Sequence, residues 1–260
     1  METTPDTVPS RDPDRHLDSV RAAPRDDGRL ELIVRRPAVD AREVVDEAVL
    51  DVDVGLVGDS WLARGSSRTP DGSANPDAQV TIMSTRVLAA IEPDRTRWPL
   101  AGDQLYVDFD LAAEHLPAGT RLAVGSAVVE VSEAPHTGCA KFSARFGSDA
   151  LRWINSPTGR ELRMRGLNAR VVQGGSLRVG DRVTRAQYAV LVAGAYAIAA
   201  GMAIASSWWL VLPLASLPLA VRVAASIVNG TEGRALNLTL KGTARLALVF
   251  GVLLAAGFLL

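Results

Sequence analysis

The sequence is poor in the residues that build metal sites and covalent cross-links. Its 260 residues include one cysteine, Cys139, and three histidines, at positions 16, 115 and 136. One cysteine excludes an internal disulfide and any zinc or iron–sulfur site made of several cysteines. The histidines lack the spacing of metal ligands. We therefore expect no metal site made by protein side chains alone, although a cofactor could bring its own metal.

An excess of either charge is also missing. The 28 Lys and Arg residues are balanced by 29 Asp and Glu residues. A protein that coats nucleic acid would have a clear basic excess, so no nucleic-acid partner is expected. The charges are unevenly spread along the chain, which falls into three segments.

The first segment, residues 1–28, has seven acidic residues, four arginines and four prolines but no sustained apolar pattern. Such a composition buries too little apolar surface to offset the entropy of ordering, which predicts a disordered N-terminal tail. The segment also lacks the basic start and apolar run of a secretory signal. The second segment, residues 29–185, has 20 basic and 21 acidic residues and is predicted to be a soluble domain.

The third segment, residues 186–260, is predicted to be a membrane segment of two to three apolar helices. Residues 186–221 carry no charge and are numerous enough for two short spans, 188–206 and 210–221, separated near Trp208 and Trp209. A third apolar run covers 246–260. The alternative is a buried helical hairpin of a soluble protein, but few soluble helices are apolar on every face.

The arginines predict the orientation of this membrane segment. Three basic residues precede the first span, Arg178, Arg182 and Arg185. Four more lie between the second and third spans, Arg222, Arg234, Lys241 and Arg245. The turn at 206–209 between the first two spans has no basic residue. Because basic loops stay in the cytoplasm, we expect a protein of the cell membrane, in contact with membrane lipid, whose soluble domain lies in the cytoplasm.

The same segment has a resemblance of its own. The stretch from Asn229-Gly230-Thr231-Glu232-Gly233 to Lys241-Gly242-Thr243-Ala244, followed by an apolar end, is similar to the C-terminus of UbiA-type prenyltransferases, in particular the dihydroxynaphthoate prenyltransferases. Those enzymes hold prenyl diphosphate and magnesium through aspartate-rich motifs, and residues 186–260 contain no aspartate. The resemblance therefore implies a remnant or a fused anchor without transferase activity.

The sequence of the soluble segment predicts mainly β-strands. Apolar and polar residues alternate over 49–54 and 105–109, as in half-buried strands, and further short apolar runs occur at 79–83, 121–124, 127–132 and 169–172. Gly-Asp pairs at Gly58-Asp59, Gly102-Asp103 and Gly180-Asp181 mark turns between them. Helices are few, at 85–91 and from 140–146 towards Trp153. Many short strands at close spacing predict a barrel or sandwich.

Short blocks around these strands form an ordered pattern. It runs from Gly55-Leu56-Val57-Gly58-Asp59 through Gly102-Asp103-Gln104-Leu105 and 119–125 to Gly138-Cys139-Ala140-Lys141-Phe142, 166–172 and 174–183. In this order and spacing, residues 30–185 resemble the MOSC domain, named for the C-terminal part of molybdenum-cofactor sulfurases. The resemblance implies a mainly β fold, a MOSC-type β-barrel with a few short helices. Where many bacterial members have a His-Gly-Gly-type segment this chain has Arg64-Gly65-Ser66-Ser67-Arg68, so that histidine's contacts are not carried over.

The resemblance implies that the domain handles sulfur or the molybdenum cofactor and that the family's cysteine is Cys139. Cys139 is then either a carrier of sulfane sulfur as a persulfide or a thiolate ligand of molybdenum, a metal that binds soft donors. Both roles need a thiolate, which nearby cations or a helix N-terminus favour. His136, Lys141 and Arg145 are the nearby candidates for binding a cofactor. Arg163 and Arg165 could bind an anionic cofactor as well, but we expect them to lie on a solvated surface.

Several alternatives remain open at this point. The chain is either an enzyme, as a sulfurtransferase or a component of a molybdenum-cofactor-dependent oxidoreductase, or a non-enzymatic module that binds a pterin or another anion and uses Cys139 structurally. The expected cofactor is molybdopterin with its molybdenum. The expected partners are a molybdoenzyme and a sulfur donor such as a cysteine desulfurase. Since no desulfurase domain is visible in the sequence, pyridoxal phosphate is not expected to bind.

Overall fold

The computed structural model describes residues 13–185, 187–228 and 234–259. The chain divides into two compact units with the boundary between Thr184 and Arg185, beside the predicted boundary at 185/186. The N-terminal unit contains short strands interspersed with short helices. The strands are β1 Gly28–Arg35, β2 Glu43–Val45, β3 Glu47–Asp51, β4 Gly55–Leu56, β5 Val80–Ser84, β6 Leu105–Asp108, β7 Arg121–Val124, β8 Ala127–Val131, β9 Leu167–Gln173, β10 Gly175–Arg178 and β11 Arg182–Arg185.

The helices of this unit are short. They are α1 Pro13–Arg21, α2 Trp61–Arg64, α3 Thr85–Ile91, α4 Ala140–Phe146, α5 Ser148–Ile154 and α6 Pro157–Glu161, with 3₁₀ turns at Pro76–Ala78 and Arg95–Ala101. Helices α4 and α5 are separate because Gly147 between them has a φ of 91°, a conformation that favours glycine and interrupts a helix.

Seven of the described strands close into a barrel in the order β1-β6-β5-β9-β8-β7-β11, and β11 pairs back to β1. The closing pairs are Gly28 with Val183 and Arg29 with Arg182. Pairing is parallel between β5 and β6. Outside the barrel, β2 extends the sheet from β1, and β10, β3 and β4 form a second small sheet. The predicted mainly β barrel is confirmed.

The two faces of the barrel wall bury different cores, because successive side chains of a strand point to opposite faces. Leu105 and Val107 of β6 belong to a cluster supplied by strands from around the barrel, which fills its interior. Tyr106, between them, belongs to a second cluster with Val87 of α3 and Phe142 of α4. The helices therefore pack on the outer face of the wall, and α4 brings Cys139 to that side of the domain.

The expected disordered tail is wrong for residues 13–27. Helix α1 lies in this stretch, with Val20 buried and Leu17 packed against the outer cluster. The guanidinium of Arg86 on α3 donates to the carbonyl of Ser19 at 2.9 Å. These contacts supply the burial that the composition alone does not suggest. Residues 1–12 lie outside the described residues.

The C-terminal unit consists of apolar helices. These are α7 Gln187–Ala205, a 3₁₀ segment Trp208–Ser216, α8 Leu217–Val228 and α9 Arg234–Leu259. The stretch predicted as a second span, 210–221, is not one continuous α-helix, because the 3₁₀ segment ends at Ser216 and α8 begins beyond it. Pro213 lies within the 3₁₀ segment. Proline removes a backbone donor, which is consistent with this break.

Within the described part of this unit, one stretch is long and apolar enough to cross a membrane. It is Lys241–Leu259, with a mean hydropathy of 1.9, whereas Gly194–Ala205 and Trp208–Ala224 are shorter. The prediction of transmembrane helices therefore stays a prediction. Residues 229–233, which carry part of the resemblance to prenyltransferases, lie outside the described residues.

Candidate functional site

Cys139 is the last residue of the loop that connects β8 to α4. Its side chain is exposed and its thiol is free. The backbone is extended, with φ −125° and ψ 177°, and the side chain makes no capping hydrogen bond to α4. The sulfur is therefore open to a reagent or a partner, and its surroundings depend on how the loop 132–139 is held.

Two asparagine side chains hold this loop. Asn168 on β9 donates to the carbonyl of Ala134 at 3.0 Å. Asn155, at the end of α5, accepts from the N–H of Gly138 at 3.1 Å and donates to the carbonyl of the same residue at 3.4 Å. Gly138 packs closely against α5, because a Cβ there would lie 2.6 Å from a methyl carbon of Leu151, which would have to move. The residue before Cys139 is thus fixed against α5.

His136, in the middle of the loop, faces Asp103. Its Nδ1 lies 3.5 Å from Oδ1 of Asp103, and the two side chains are 15% and 0% exposed. Burial lowers the pKa of His136 well below its usual value, and the positive charges of Arg165, Arg36 and Arg68 act in the same direction. His136 is therefore neutral near pH 7 and does not supply the positive charge that would favour a thiolate at Cys139.

Asp103 is the buried centre of a polar chain. Its Oδ2 accepts from Nη1 of Arg165 at 2.6 Å, and its backbone N–H donates to the hydroxyl of Tyr106 at 3.1 Å. Burial raises the pKa of Asp103, while the Arg165 guanidinium opposes this shift. The expectation that Asp103 only marks a turn is therefore wrong. The expectation that Arg165 lies on a solvated surface is also wrong, because its side chain is 8% exposed.

Three arginines converge on the turn that precedes Asp103. The successive carbonyls of Leu100, Ala101 and Gly102 accept hydrogen bonds from Arg145, Arg165 and Arg36 respectively. These carbonyls end the 3₁₀ helix Arg95–Ala101, where a helix presents unpaired acceptors and favours positive charge. Arg36 comes from the end of β1 and Arg145 from α4, so the turn draws distant parts of the chain together.

Arg36 also holds Asp59, another residue expected to mark only a turn. The guanidinium Nε donates to Oδ2 of Asp59 at 2.8 Å and Nη2 donates to Oδ1 at 3.1 Å. The side chain of Asp59 is fully buried in this bidentate pair. Asp181 does keep the predicted turn role, since its carboxylate accepts from the N–H of Arg178 at 2.7 Å.

Positive charge is in excess around the turn. Lys141 and Arg145 share one carboxylate, that of Asp40, at 3.4 and 2.9 Å. Arg42 comes close to the same turn, and its Nε is buried without a hydrogen-bond partner. Burial lowers the pKa of Arg42, as do the charges of Arg145 and Arg36. We call Arg36, Arg42, Arg145 and Arg165 the arginine cluster. Together with Lys141 it places five positive charges near three carboxylates, those of Asp40, Asp59 and Asp103. The excess of positive charge favours the binding of an anion.

The structure brings the predicted site residues into two groups. Lys141 and Arg145 meet at Asp40, whereas His136 joins Asp103 and Arg165. In the described part of the chain, the sulfur of Cys139 forms no hydrogen bond with either group. No recognised motif contains Arg36, Arg42 or Asn155, so the sequence does not predict them. The block Gly102-Asp103 does contain Asp103, but its pattern is the same as that of a simple turn.

Comparison with known proteins supports the resemblance to the MOSC domain. Residues 69–184 match the family model of the MOSC domain. Solved structures similar to the chain include YuaD of Bacillus subtilis, with 18% identity, a TM-score of 0.45 and coverage of 60% of this chain and 94% of that one. YiiM of Escherichia coli has 20% identity, a TM-score of 0.41 and coverage of 60% and 69%.

YiiM of Geobacillus stearothermophilus has 16% identity and a TM-score of 0.41, with coverage of 61% of this chain and 74% of that one. No curated protein matches the chain. The family match stops before the apolar helices, so the resemblance of residues 186–260 to prenyltransferases stays a prediction. The stretch that matches the MOSC family model, residues 69–184, includes Cys139 and the loop that carries it.

Proposed function

We propose that the chain is a membrane-tethered MOSC protein that transfers sulfur, with Cys139 as the carrier of sulfane sulfur. One observation carries this proposal: the free thiol of Cys139 is exposed at the end of a loop that Asn155 and Asn168 hold in place. A structural cysteine is usually buried, whereas a carrier must meet both a donor and an acceptor. The exposure therefore favours the carrier.

The transfer needs only the thiol of this chain and a persulfide donor. The Cys139 thiolate attacks the outer sulfur of the donor persulfide, the sulfur–sulfur bond of the donor breaks, and the donor leaves as a thiolate. Cys139 then carries the sulfur as a persulfide, which a second protein removes in the same way. A cysteine desulfurase fits the donor and a molybdoenzyme fits the acceptor.

The residues around Cys139 also fit the molybdenum cofactor that the family implies. The buried, unpartnered Nε of Arg42 and the excess of positive charge around it are suited to the anionic part of a pterin cofactor. Arg42, Arg145 and Lys141 would hold this part and Cys139 the metal. When bound, such a cofactor would supply oxidation–reduction chemistry at the molybdenum.

A second candidate function rests on the arginine cluster instead of the thiol. In that function the domain binds a pterin or another anion without catalysis, and Cys139 is structural. The shortage of carboxylates around the turn at Gly102 favours it. The exposure of Cys139 argues against a structural role for that residue.

The proposed tether is the apolar C-terminal unit. Large apolar side chains of α9 are exposed within the described structure, including Leu248, Val252 and Phe258. Exposed apolar surface of this extent favours contact with lipid, and the positions of the arginines favour a cytoplasmic MOSC domain. The similarity to prenyltransferases would then reflect a fused anchor without their chemistry.

The test is persulfide loading of the full-length protein purified in detergent. After incubation with a cysteine desulfurase and cysteine, mass spectrometry should find one added sulfur on the peptide that contains Cys139. Cys139→Ser should abolish loading and leave the circular dichroism spectrum unchanged. Arg152→Ala, a change of an exposed arginine on α5, is the control and should load normally. An unloaded wild-type thiol with pterin bound equally to wild type and Cys139→Ser would support the binding module and refute the carrier.

A further inference from the structure

A cavity of about 250 Å³ lies between the loop at 132–137 and the segment at 154–167. Cys139 is not among the residues that line it. Ligand pockets usually have volumes of about 300–1,000 Å³. Because this cavity is slightly smaller than that range, it suits a small molecule. It is a distinct concave site next to the loop that carries the thiol.

The lining of the cavity is positively charged. Arg160, Arg163 and Arg165 contribute to it, against one acidic residue, Glu133. Nη1 of Arg163 donates to the carbonyl of Leu116 at 2.6 Å, which fixes this side chain. His136, the remaining titratable residue of the lining, is neutral near pH 7 because of its burial. Asp103, which does not line the cavity, offsets the charge of Arg165, and the remaining excess of positive charge favours an anion.

One buried cation of the lining has an unused donor. The Arg165 side chain is 8% exposed; Nη1 and Nη2 are occupied by Asp103 and Ala101, whereas Nε has no hydrogen-bond partner. Nδ1 of His136, by contrast, faces Oδ1 of Asp103 at 3.5 Å. Native proteins rarely leave buried donors of this kind unpaired. An acceptor supplied by a ligand would satisfy Arg165.

The rest of the wall indicates what the anion is attached to. Ala134, Pro135, Ile154 and Leu167 present apolar surface to the cavity. An inorganic oxyanion has nothing to place against such surface, whereas a small organic acid does. A carboxylate also matches the planar donors of a guanidinium.

We propose that this cavity binds the carboxylate of a small organic acid, which accepts a hydrogen bond from Nε of Arg165 and lies beside His136. The inference goes beyond the proposed function, because Cys139 does not line the cavity and binding needs no thiol. A ligand here would lie against the loop at 132–137 and so adjoin the chain that leads to Cys139.

The experiment uses full-length protein in detergent with isotope-labelled histidine. The probe is benzoate, and benzamide, of nearly the same shape but neutral, is the control ligand. Only three histidines are present, and His136→Asn assigns the signal of His136. We expect benzoate to shift this signal to saturation and benzamide to bind at least about tenfold more weakly, since hydrogen bonds to a charged group are the stronger kind.

Variants separate this site from its surroundings. Arg160→Gln removes an exposed cation of the lining and should weaken benzoate binding severalfold, whereas Arg152→Gln on the neighbouring helix should have no effect. Cys139→Ser should bind benzoate normally, so a failure of sulfur transfer would not affect this result. Equal binding of benzoate and benzamide, or a His136 signal that benzoate leaves unchanged, would overturn the proposal.

Discussion

Asn155 binds both backbone polar groups of Gly138. The amide oxygen accepts from the N–H at 3.1 Å and the amide nitrogen donates to the carbonyl at 3.4 Å. One side chain at the end of α5 thus fixes the residue that precedes Cys139. If Cys139 exchanges sulfur with partner proteins, this contact determines where the thiol is presented.

Asn155→Ala should destabilise the domain and disorder the loop at 132–139. Loss of two partly buried hydrogen bonds costs about 1–2 kcal/mol, which urea denaturation of the full-length protein in detergent would measure. Limited proteolysis should cut the loop faster. Asn155→Asp keeps the acceptor for the Gly138 N–H and should lie between wild type and Asn155→Ala. Unchanged proteolysis of the alanine variant would show that the loop is held by other contacts.

Gly138→Ala should also displace the loop, but by steric conflict. The new Cβ would lie 2.6 and 2.9 Å from the Cδ1 atoms of Leu151 and Ile154, and such overpacking costs about 1–3 kcal/mol. The measurement is again the free energy of unfolding. Combining it with Leu151→Ala should recover part of the loss measured against Leu151→Ala alone. If the two costs simply add, the methyl group does not meet Leu151.

Asp103→Asn should be among the most damaging single changes in the domain. It leaves the buried Arg165 guanidinium without its counter-charge, which costs about 3–5 kcal/mol. The matched control is Asp149→Asn, whose partner Arg152 is 76% exposed, and exposed pairs contribute less than about 1 kcal/mol. Thermal and urea unfolding would compare the two. Similar losses in both variants would contradict the buried pair.

Stability should fall in acid because of His136. Its pKa is lowered in the folded protein from an ordinary value of 6.5, so below pH 6.5 the unfolded chain binds the extra proton and the folded one does not. Stability from this source is present above pH 6.5 and is lost as the pH falls, by about 1 kcal/mol at pH 5.5. His136→Gln should remove this part of the pH dependence. Parallel stability curves for the two proteins from pH 7 to 5.5 would refute it.

Removal of residues 186–260 should release the protein from membranes. Full-length protein should sediment with the membrane fraction and resist extraction by alkaline carbonate, since apolar helices, and not surface charge, are proposed to hold it. The truncated chain should remain in the supernatant with the circular dichroism of a β protein. Full-length protein that stays soluble after high-speed centrifugation would refute the tether.

Local patterns predict much of the secondary structure here. The helices at Thr85–Ile91 and Ala140–Phe146 and the strand Arg121–Val124 have the predicted bounds, because each follows from a local pattern of apolar residues and turns. The strand predicted at 49–54 fails for an equally local reason. β3 ends at Asp51, whose carboxylate accepts from the N–H groups of Asp53 and Val54 and turns the chain.

The polar centre of the site could not be predicted in this way. Asp103 and Arg165 are far apart in sequence, and neither residue type reveals a partner until the chain is folded. A Gly-Asp pair has the same pattern whether its carboxylate faces solvent, caps a turn or is buried. The family resemblance located Cys139, but it did not indicate that His136 faces Asp103.

The closing pair of the barrel has a consequence for biosynthesis. β1 cannot complete its hydrogen bonds until β11 is available, since Gly28 pairs with Val183, and pairing over such a distance in sequence is slow. β11 is followed directly by the apolar helix α7. The ribosome therefore delivers the last barrel strand and the first apolar helix almost together. While the domain waits to close, its outermost strands lack partners and are prone to aggregate, so translation rate and chaperone supply should affect the yield of this protein more than that of a barrel that closes early.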